Sequence, residues 1–284
     1  MRQTQKSRDI VRAKREIMEY TLFQKLLNLP NFISLESIST AGLIGLFEKT
    51  KTTSASQTEL KIDEIYEKFG CLHANTRFVS GGRYSPHYAG QIARLESQMC
   101  RLIEDELFDH GVDQISTPSL VSSFISEVLY GHQNNVVYFN KGAANLPMGS
   151  YDSLASLYSA FSAARMRYPS DIFFNIGEEF SKKTERYSKT MGLLSLAKEG
   201  HQIDEQFDKQ LEIHKTILDK LNLSYRIIEL NPKQMDPTAY RSVSIEIKPL
   251  GHDKWISYTT INHKSDYVTS KLSIYYEEDV PVRV

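Results

Sequence analysis

The stretch that decides the fold runs from Trp255 to Tyr276 and reads WISYTTINHKSDYVTSKLSIYY. Ile256, Tyr258 and Thr260 alternate with polar neighbours, which predicts a strand with one buried face. Turn-forming and ligand-capable side chains at 262–266 interrupt this strand, and a second segment of mixed strand character follows. Two strands that flank a polar turn can line the floor of a pocket. The same pattern also fits an ordinary antiparallel pair with a solvated turn.

Length and composition indicate a globular protein of one large domain and an appendage. The 284 residues include 34 basic and 35 acidic side chains, so no strong nucleic-acid-binding field is predicted for the whole chain. The 16 tyrosines and 13 phenylalanines argue against disorder. Cys71 and Cys100 belong to no CxxC or Cys/His cluster, which predicts reduced thiols in an intracellular compartment and neither a zinc site nor a disulfide framework.

Targeting signals are weak. No apolar run approaches the ~20 residues of a membrane span. The start, MRQTQKSRDIVRAKRE, is basic but lacks the hydrophobic core of a secretory signal. It favours a basic helix, and a mitochondrial targeting stretch is the second interpretation.

Apolar residues at helical spacing predict three amphipathic helices, over 8–27, from Ile92 to His110-Gly111, and over 207–221 with Asp204 as N-cap. On the third helix, His214 is interpreted as a histidine at the edge of the core. Strands are predicted over 112–121, 171–180, 191–203 and 221–230. The Ser-, Thr- and Lys-rich residues from Ser34 to Lys61 are predicted to form a loop or linker.

Asp266-Tyr267 followed by SKLSI at 270–274 resembles the Asp-Phe-Gln-x-Arg-Arg-Leu-x-Ile segment of seryl-tRNA synthetases, which are class II enzymes. Leu29-Pro30-Asn31 resembles the junction where that family's tRNA-binding coiled coil rejoins the catalytic domain. The helix, Gly111 and the strand to Pro118 resemble motif 1, which forms the dimer interface of class II synthetases. The resemblance implies an α+β class II fold, an antiparallel sheet flanked by helices, with a short N-terminal helix left from the coiled-coil arm.

The resemblance also implies a relic of the serine pocket. LPMGSYDSLASL at 146–157 resembles the family's Gly-Thr-Ala-Glu segment, with Ser150 and Asp152 as counterparts of the substrate-binding Thr and Glu. Asn262, in the polar turn, is the third candidate for this pocket. The alternative for Ser150 and Asp152 is a helix N-cap.

The two strands joined by SKKTERYSKT resemble motif 2 without its charged chemistry. The family's first strand reads Phe-Arg-x-Glu, whereas here Phe174 is followed by Asn175, with Gly177 in place of the Glu. Ser195 and Ala197 stand where the second strand has Arg and His. A neutral side chain in place of a bidentate Arg leaves the charge of a triphosphate uncompensated. We therefore expect that adenylation is lost.

The turn between these strands is basic. In the family it approaches the acceptor end of tRNA, and here the candidates for RNA contact are Lys182, Lys183, Arg186 and Lys189, beside Tyr187. A merely solvated loop is the alternative. The six basic residues among the first fifteen are either phosphate contacts or a solvated helix face.

These expectations divide the chain into an N-terminal basic helix (1–30), a linker (31–70) and a class II domain that lacks motif 3 (71–284). The chain resembles a degenerate, insect mitochondrial paralogue of the family. We expect a non-catalytic mitochondrial protein that forms a homodimer, or a heterodimer with a seryl-tRNA synthetase, and that binds tRNA or other RNA without a cofactor. The alternative is an active serine-tRNA ligase, seen as a truncated chain and using ATP and Mg²⁺. A weaker third hypothesis is a class II fold that binds a small ligand.

Overall fold

A computed structural model describes most of the N-terminal helix and of the C-terminal half of the chain. The described residues are 2–39, 44–50, 88–117, 170–181, 186–249 and 254–276, together with the short stretches 121–122, 125, 128–129, 137–139, 144–146, 154, 157–158 and 165–166. No helix in this part of the chain is both long and apolar enough to cross a membrane.

The chain begins with a long projecting helix, α1 (Arg2–Leu27). It extends about 39 Å at 1.5 Å per residue, and its residues are exposed from Val11 to Phe23. Only its last turn enters the body, where Leu27 is buried. Pro30 follows three residues later, as the sequence predicts for a helix end.

A four-stranded antiparallel sheet forms one half of the body. Its strand order is β1 (Ile44–Lys49), β9 (Ser224–Glu229), β10 (Arg241–Lys248) and β11 (Ile256–His263). A short helix, α2 (Leu35–Ser39), precedes β1. Alternating apolar residues of β9 and β10 form a buried cluster with Phe207 and Leu218, which belong to the helix that precedes β9, α4 (Gly200–Lys220).

The second half is a long hairpin, β7 (Ser170–Ser181) and β8 (Arg186–Ala197), to which β2 (Asp113–Gln114) adds in parallel. The helices α3 (Gly90–Asp109) and α4 (Gly200–Lys220) pack on one face of this hairpin, through Leu107 and through Ile213 and Ile217. Because α4 packs against both β8 and β11, it joins the two sheets.

The remaining described elements are short. They are β3 (Val121–Ser122), β4 (Val137–Phe139), β5 (Ala144–Leu146), β6 (Arg165–Met166), α5 (Tyr267–Lys271) and β12 (Tyr275–Tyr276). β5 pairs with β3 and β4, and β12 pairs with β6. The side chains of Val268, within α5, and of Leu272, directly after it, complete a core on the hairpin face that is turned away from α4.

Several sequence expectations are corrected. Residues 34–61 do not form a loop throughout, because α2 and β1 lie within them and β1 pairs with β9. The second segment after the polar turn is the helix α5 rather than a strand. The strand predicted over 191–203 begins at Arg186 and ends at Ala197. α4 then starts at Gly200, capped by Glu199 and Gln202 rather than by Asp204.

Two more patterns differ in detail. The strand predicted over 112–121 appears as β2 and β3, which join different sheets, and Pro118 lies outside the described residues. In β11, an irregularity in pairing with β10 between Ile245 and Glu246 breaks the expected alternation. Ile256 is therefore exposed, and Ile261 is the strand's buried apolar residue.

Candidate functional site

The β7–β8 hairpin has two differently covered faces. Ile172 and Phe174 point toward α3 and α4, where they pack against Leu107 and Ile217. Phe173 lies on the opposite face and packs against a cluster that includes Leu194. Since side chains alternate along a strand, Asn175 shares the face of Phe173. Asn175 stands where the resemblance to motif 2 places an Arg.

Asn175 is buried, and its amide is used inside the protein. Its Nδ2 donates a hydrogen bond to Thr117 Oγ1 at 3.0 Å, and the residue pairs with Gly192 across the hairpin. Thr117 follows β2, so this bond joins the segment after β2 to the strand beside it. The position that resembles the motif 2 Arg therefore carries a short neutral side chain with a structural partner.

Ser195 and Ala197 are also buried. Ser195 faces α4, where Gln210 Nε2 donates a hydrogen bond to its Oγ at 2.5 Å. Every side chain between Ile172 and Gly177, and between Gly192 and Ala197, is neutral. Leu194 and Leu196 are packed against the residues of the α5 segment instead of lining a polar pocket.

These residues do not fit a nucleoside triphosphate. A bound triphosphate requires cationic or metal-bridged contacts with its phosphate oxygens, and this part of the hairpin offers none. Among the residues that the structure describes, no group of three His, Cys, Asp or Glu side chains could hold a metal ion. No chemical step through ATP is therefore derived for this chain.

Asn262, the described member of the predicted serine pocket, lies near the end of β11. Its side chain is exposed, and its Oδ1 accepts a hydrogen bond from Ser242 Oγ at 2.7 Å. Ser242 itself is fully buried. This bond fixes the carbonyl side of the exposed amide. Ser150 and Asp152 lie outside the described residues.

The basic candidates for RNA contact are distributed around the hairpin. Lys182 and Lys183 lie outside the described residues. Arg186 is the first residue of β8, in register with Ser181. Lys189 is exposed, and its Nζ lies 3.5 Å from Glu96 Oε2 of α3. The paired part of the hairpin extends as far as Ser181 and Arg186. Arg186 and Lys189 therefore belong to the strand β8 rather than to a loop.

The polar turn at 262–266 and α5 hold the end of α1, which sequence reasoning did not find. Lys271 Nζ donates to Leu27 O at 2.8 Å, and Tyr267 Oη donates to the carbonyl oxygens of Leu27 and Leu29. Asn31 Nδ2 donates to Lys264 O at 2.9 Å. The donors of Tyr267 and Lys271 satisfy carbonyl groups at the end of α1, where a helix leaves them unpaired. Asn31 ties the segment after α1 to the turn before α5. We call Tyr267, Lys271 and Asn31 the arm clamp.

The ammonium of Lys271 lies 3.6 Å from the centre of the Tyr267 ring. Partial burial lowers the pKa of Lys271 to about 8. The family has Arg at the position of Lys271. The only sign of this contact in the sequence was therefore a cationic residue between Asp266-Tyr267 and Ile274. Its partner, a carbonyl group 244 residues earlier, has no sequence signature.

A second unpredicted group lies on the four-stranded sheet. Arg226 of β9 donates to Glu246 of β10 at 2.7 Å, and its guanidinium lies 4.8 Å from the centre of the Trp255 ring. The two charged residues are in register across the strands. Nothing in the sequence alone pairs Glu246 with Arg226, because the two residues are brought together by the pairing of β9 with β10.

No protein-family model matches the sequence, and no curated protein matches it either. Solved structures do. The cytoplasmic serine-tRNA ligase from Naegleria fowleri, in complex with AMP, matches with a TM-score of 0.74 and 16% identity over 98% of this chain. The chain spans 64% of the length of that protein.

Two further structures give the same result. Seryl-tRNA synthetase from Pyrococcus horikoshii, complexed with ATP, matches with a TM-score of 0.78 and 16% identity, over 98% of this chain and 72% of that one. The M. kandleri seryl-tRNA synthetase in complex with A. aeolicus tRNASec matches with a TM-score of 0.62 and 10% identity, over 84% of this chain and 56% of that one. At these identities the likeness concerns the fold alone. The chain therefore has the α+β fold of a seryl-tRNA synthetase, a class II aminoacyl-tRNA synthetase fold.

Proposed function

We propose that this chain is a non-catalytic, seryl-tRNA synthetase-like protein that dimerises with a mitochondrial seryl-tRNA synthetase and binds tRNA or another RNA. The observation that carries the proposal is the neutral hairpin. Asn175 and Ser195 occupy positions that resemble phosphate- and substrate-binding positions, and their polar atoms bond to Thr117 and Gln210.

Loss of adenylation follows from the size of the missing interaction. Electrostatic contacts with the reacting phosphate are made most strongly in the transition state, and removing one typically costs on the order of 10² to 10³ in rate. Here the Arg, Glu and His of the motif 2 pattern are all replaced by neutral residues. We therefore propose that neither ATP nor Mg²⁺ is needed for the function.

RNA binding is supported by fold and by charge. One structural neighbour is a synthetase in complex with a tRNA. Lys182, Lys183, Arg186 and Lys189 bring four positive charges to one end of the hairpin in this chain. The Lys189–Glu96 contact is half-exposed, so it contributes little and can be exchanged for a phosphate contact.

Dimerisation through the segment that resembles motif 1 is supported by α3. Leu95 and Met99 of this helix lie one turn apart on the same face, and these two large apolar side chains remain 53% and 41% exposed. Exposed apolar side chains on one amphipathic helix are typical of a contact surface. We propose this α3 surface as the contact with the synthetase partner.

The decisive experiment is ATP–pyrophosphate exchange with serine. The chain alone is expected to give no exchange above background, and its addition to a seryl-tRNA synthetase is expected to leave the exchange per synthetase active site unchanged. The synthetase alone is the positive control. Exchange by the chain alone would contradict the proposal and would mean that residues other than those of the hairpin bind the triphosphate.

A serine-tRNA ligase remains the second candidate, and Asn262 is the observation that favours it. Its exposed amide, held by Ser242, is suited to hydrogen-bond a small polar ligand. Calorimetry with serine and with MgATP, in separate titrations, divides the possibilities. Binding of both supports the ligase, binding of serine alone supports a ligand-binding relic, and binding of neither supports the non-catalytic proposal.

Localisation is tested separately. A full-length chain with a C-terminal fluorescent tag is expected to coincide with a mitochondrial marker. The matched control replaces Arg2, Lys6, Arg8 and Arg12 by Gln, because a targeting stretch depends on its positive charge. A tagged chain distributed evenly through the cell would contradict this part of the proposal.

A further inference from the structure

Lys189 lies on the side of the hairpin that faces α3. Leu193 and Met191 of β8 pack on this side against the cluster that contains Leu107 and Phe174. Because side chains alternate along a strand, Lys189 follows them on the same face, two residues nearer to the hairpin turn. The lysine therefore comes directly after the apolar residues through which the hairpin packs on its helices.

The ammonium group of Lys189 lies against α3 itself. Its Nζ is 3.5 Å from Oε2 of Glu96, and the two side chains are 43% and 33% exposed. Cys100, one turn after Glu96, is near enough for its thiol to sense the charges of both residues. The lysine side chain therefore lies over α3. At this distance and exposure solvent weakens the ion pair, so it can open without disturbing the core.

This position on α3 is unfavourable for a contact between the lysine and RNA. The helix contains five acidic and two basic residues, so a phosphate group that approached the ammonium there would meet a net negative surface. Contacts with phosphate groups supply essentially all of the non-specific binding of proteins to nucleic acids. For Lys189 to make such a contact, its side chain has to leave Glu96 and turn toward the end of the hairpin.

We propose that Glu96 restrains Lys189 and so lowers the affinity of the hairpin for RNA until a phosphate group replaces the carboxylate. We call this the Glu96 restraint. It rests on the RNA binding proposed above and adds a regulating residue to that site. The flexible four-carbon stem of a lysine allows the exchange of partners without a change in the backbone. Glu96 binds the ammonium in the free protein, and a phosphate group binds it in the complex.

Fluorescence anisotropy with a labelled single-stranded RNA of mixed sequence and about 20 nucleotides tests the restraint in the full chain. Glu96→Gln is expected to tighten binding about two- to fivefold, the range that corresponds to a part-exposed ion pair. Asp105→Asn is the matched control. It removes the same charge from an exposed site that lies about 13 Å farther along α3. This distance exceeds the screening length of ~10 Å at 0.1 M salt, so the Kd should not change.

Variants of Lys189 show whether Glu96 acts through this lysine. Lys189→Gln is expected to weaken binding and to reduce the slope of log K against log salt concentration by about 0.7, because one phosphate contact with a single strand is lost. When Lys189→Gln is already present, adding Glu96→Gln should leave the Kd unchanged. An equal gain from Glu96→Gln with and without the lysine, or an equal gain from Asp105→Asn, would show a general effect of charge and overturn the restraint.

The thiol of Cys100 reports the position of the ammonium in the absence of RNA. Partial burial raises the pKa of this thiol, the charge of Lys189 lowers it, and the charge of Glu96 raises it. With Cys71 changed to Ser, the alkylation rate of Cys100 as a function of pH gives its pKa, and Lys189→Gln should raise this pKa. An unchanged pKa would place the lysine away from α3 and overturn the restraint, even where RNA binds.

The affinities separate failure of the restraint from failure of the proposed function. Binding of RNA by the wild type without any response to Glu96→Gln overturns the restraint alone. Binding by neither the wild type nor Glu96→Gln overturns the proposed RNA binding and the restraint with it. Binding that is detectable only in Glu96→Gln supports the restraint in its strongest form.

Discussion

At the scale of single residues, His214 is a buried base that folding keeps neutral. It lies on α4 with its ring edge-on to Tyr258, 5.6 Å between centres, and none of the described residues is a hydrogen-bond partner of its Nδ1. Burial lowers the pKa of His214 to about 4 from an ordinary value of 6.5. The interpretation of His214 as a core residue agrees with this environment.

The free energy of unfolding should fall as pH drops from 6.5 toward 4. In that window the unfolded chain binds a proton at His214 and the folded chain does not, so protonation favours unfolding, by up to about 3 kcal/mol. Urea unfolding across this range measures the effect. His214→Phe should flatten the dependence, and His201→Gln, at an exposed site on the same helix, should not. Equal pH dependence in wild type and His214→Phe would contradict the prediction.

A second residue-scale prediction concerns Glu229, a buried carboxylate. Arg241 Nε and Nη2 donate to its two oxygens at 3.1 Å each, and Ser37 Oγ adds a third bond. Arg241→Met should cost about 3–5 kcal/mol of unfolding free energy, because it leaves this charge buried and unpaired. Denaturant titration should show that Glu229→Gln added to Arg241→Met recovers most of the loss.

The pair Arg226–Glu246, whose side chains are 30% and 22% exposed, provides the control for that experiment. Arg226→Met is expected to cost about 1 kcal/mol or less, since solvent screens its partner. A loss as large as that of Arg241→Met would show that burial does not decide the difference.

At the scale of elements, the arm clamp fixes the root of α1. Each of its hydrogen bonds contributes about 1 kcal/mol. Tyr267→Phe combined with Lys271→Met should therefore speed amide exchange of residues 24–29 roughly 30-fold. Exchange in β9 and β10 should not change. Lys248→Met, a lysine of the sheet outside the clamp, is the control, and unchanged exchange at 24–29 in the double variant would contradict the role of the clamp.

Sequence alone was sufficient for elements with strong local periodicity. α1, α3, α4 and the β7–β8 hairpin carry apolar residues at regular spacing, so they could be predicted without the rest of the chain. β1 could not be predicted in this way, because IGLFEK is a short run without alternation. Its strand character comes from pairing with β9, in which Ile44 lies opposite Glu229, 185 residues later in the chain. α5 was mistaken for a strand because five residues are too few to display a helical period.

Site residues were predictable to a smaller degree. The neutral character of Asn175 and Ser195 is readable from the sequence, but their partners Thr117 and Gln210 are not, because tertiary contacts bring them together. The same limit applies to the arm clamp. Its donors and acceptors are more than 200 residues apart, and all of its acceptors are backbone carbonyl groups, which carry no sequence signal.

At the scale of the whole molecule, α4 connects the two sheets. Phe207 and Leu218 belong to the core of the four-stranded sheet, whereas Ile213 and Ile217 belong to that of the hairpin. Ile213→Ala should cost about 2–5 kcal/mol. Both sheets should then unfold in one transition, as measured by exchange of β8 and β10 amides at increasing urea concentration. Separate transitions for the two strands would contradict a shared core.

The pairing of the first fifty residues with the last third of the chain has a consequence for synthesis. Asn31 bonds to Thr238, 207 residues later, and Tyr267 to Leu27, 240 residues later. Contacts of such high sequence separation form late. At about 5–20 residues per second, a ribosome needs on the order of 10–40 s to deliver the partners of Asn31. During that interval α2 and β1 have no sheet to join, and the apolar residues of this segment stay exposed to aggregation.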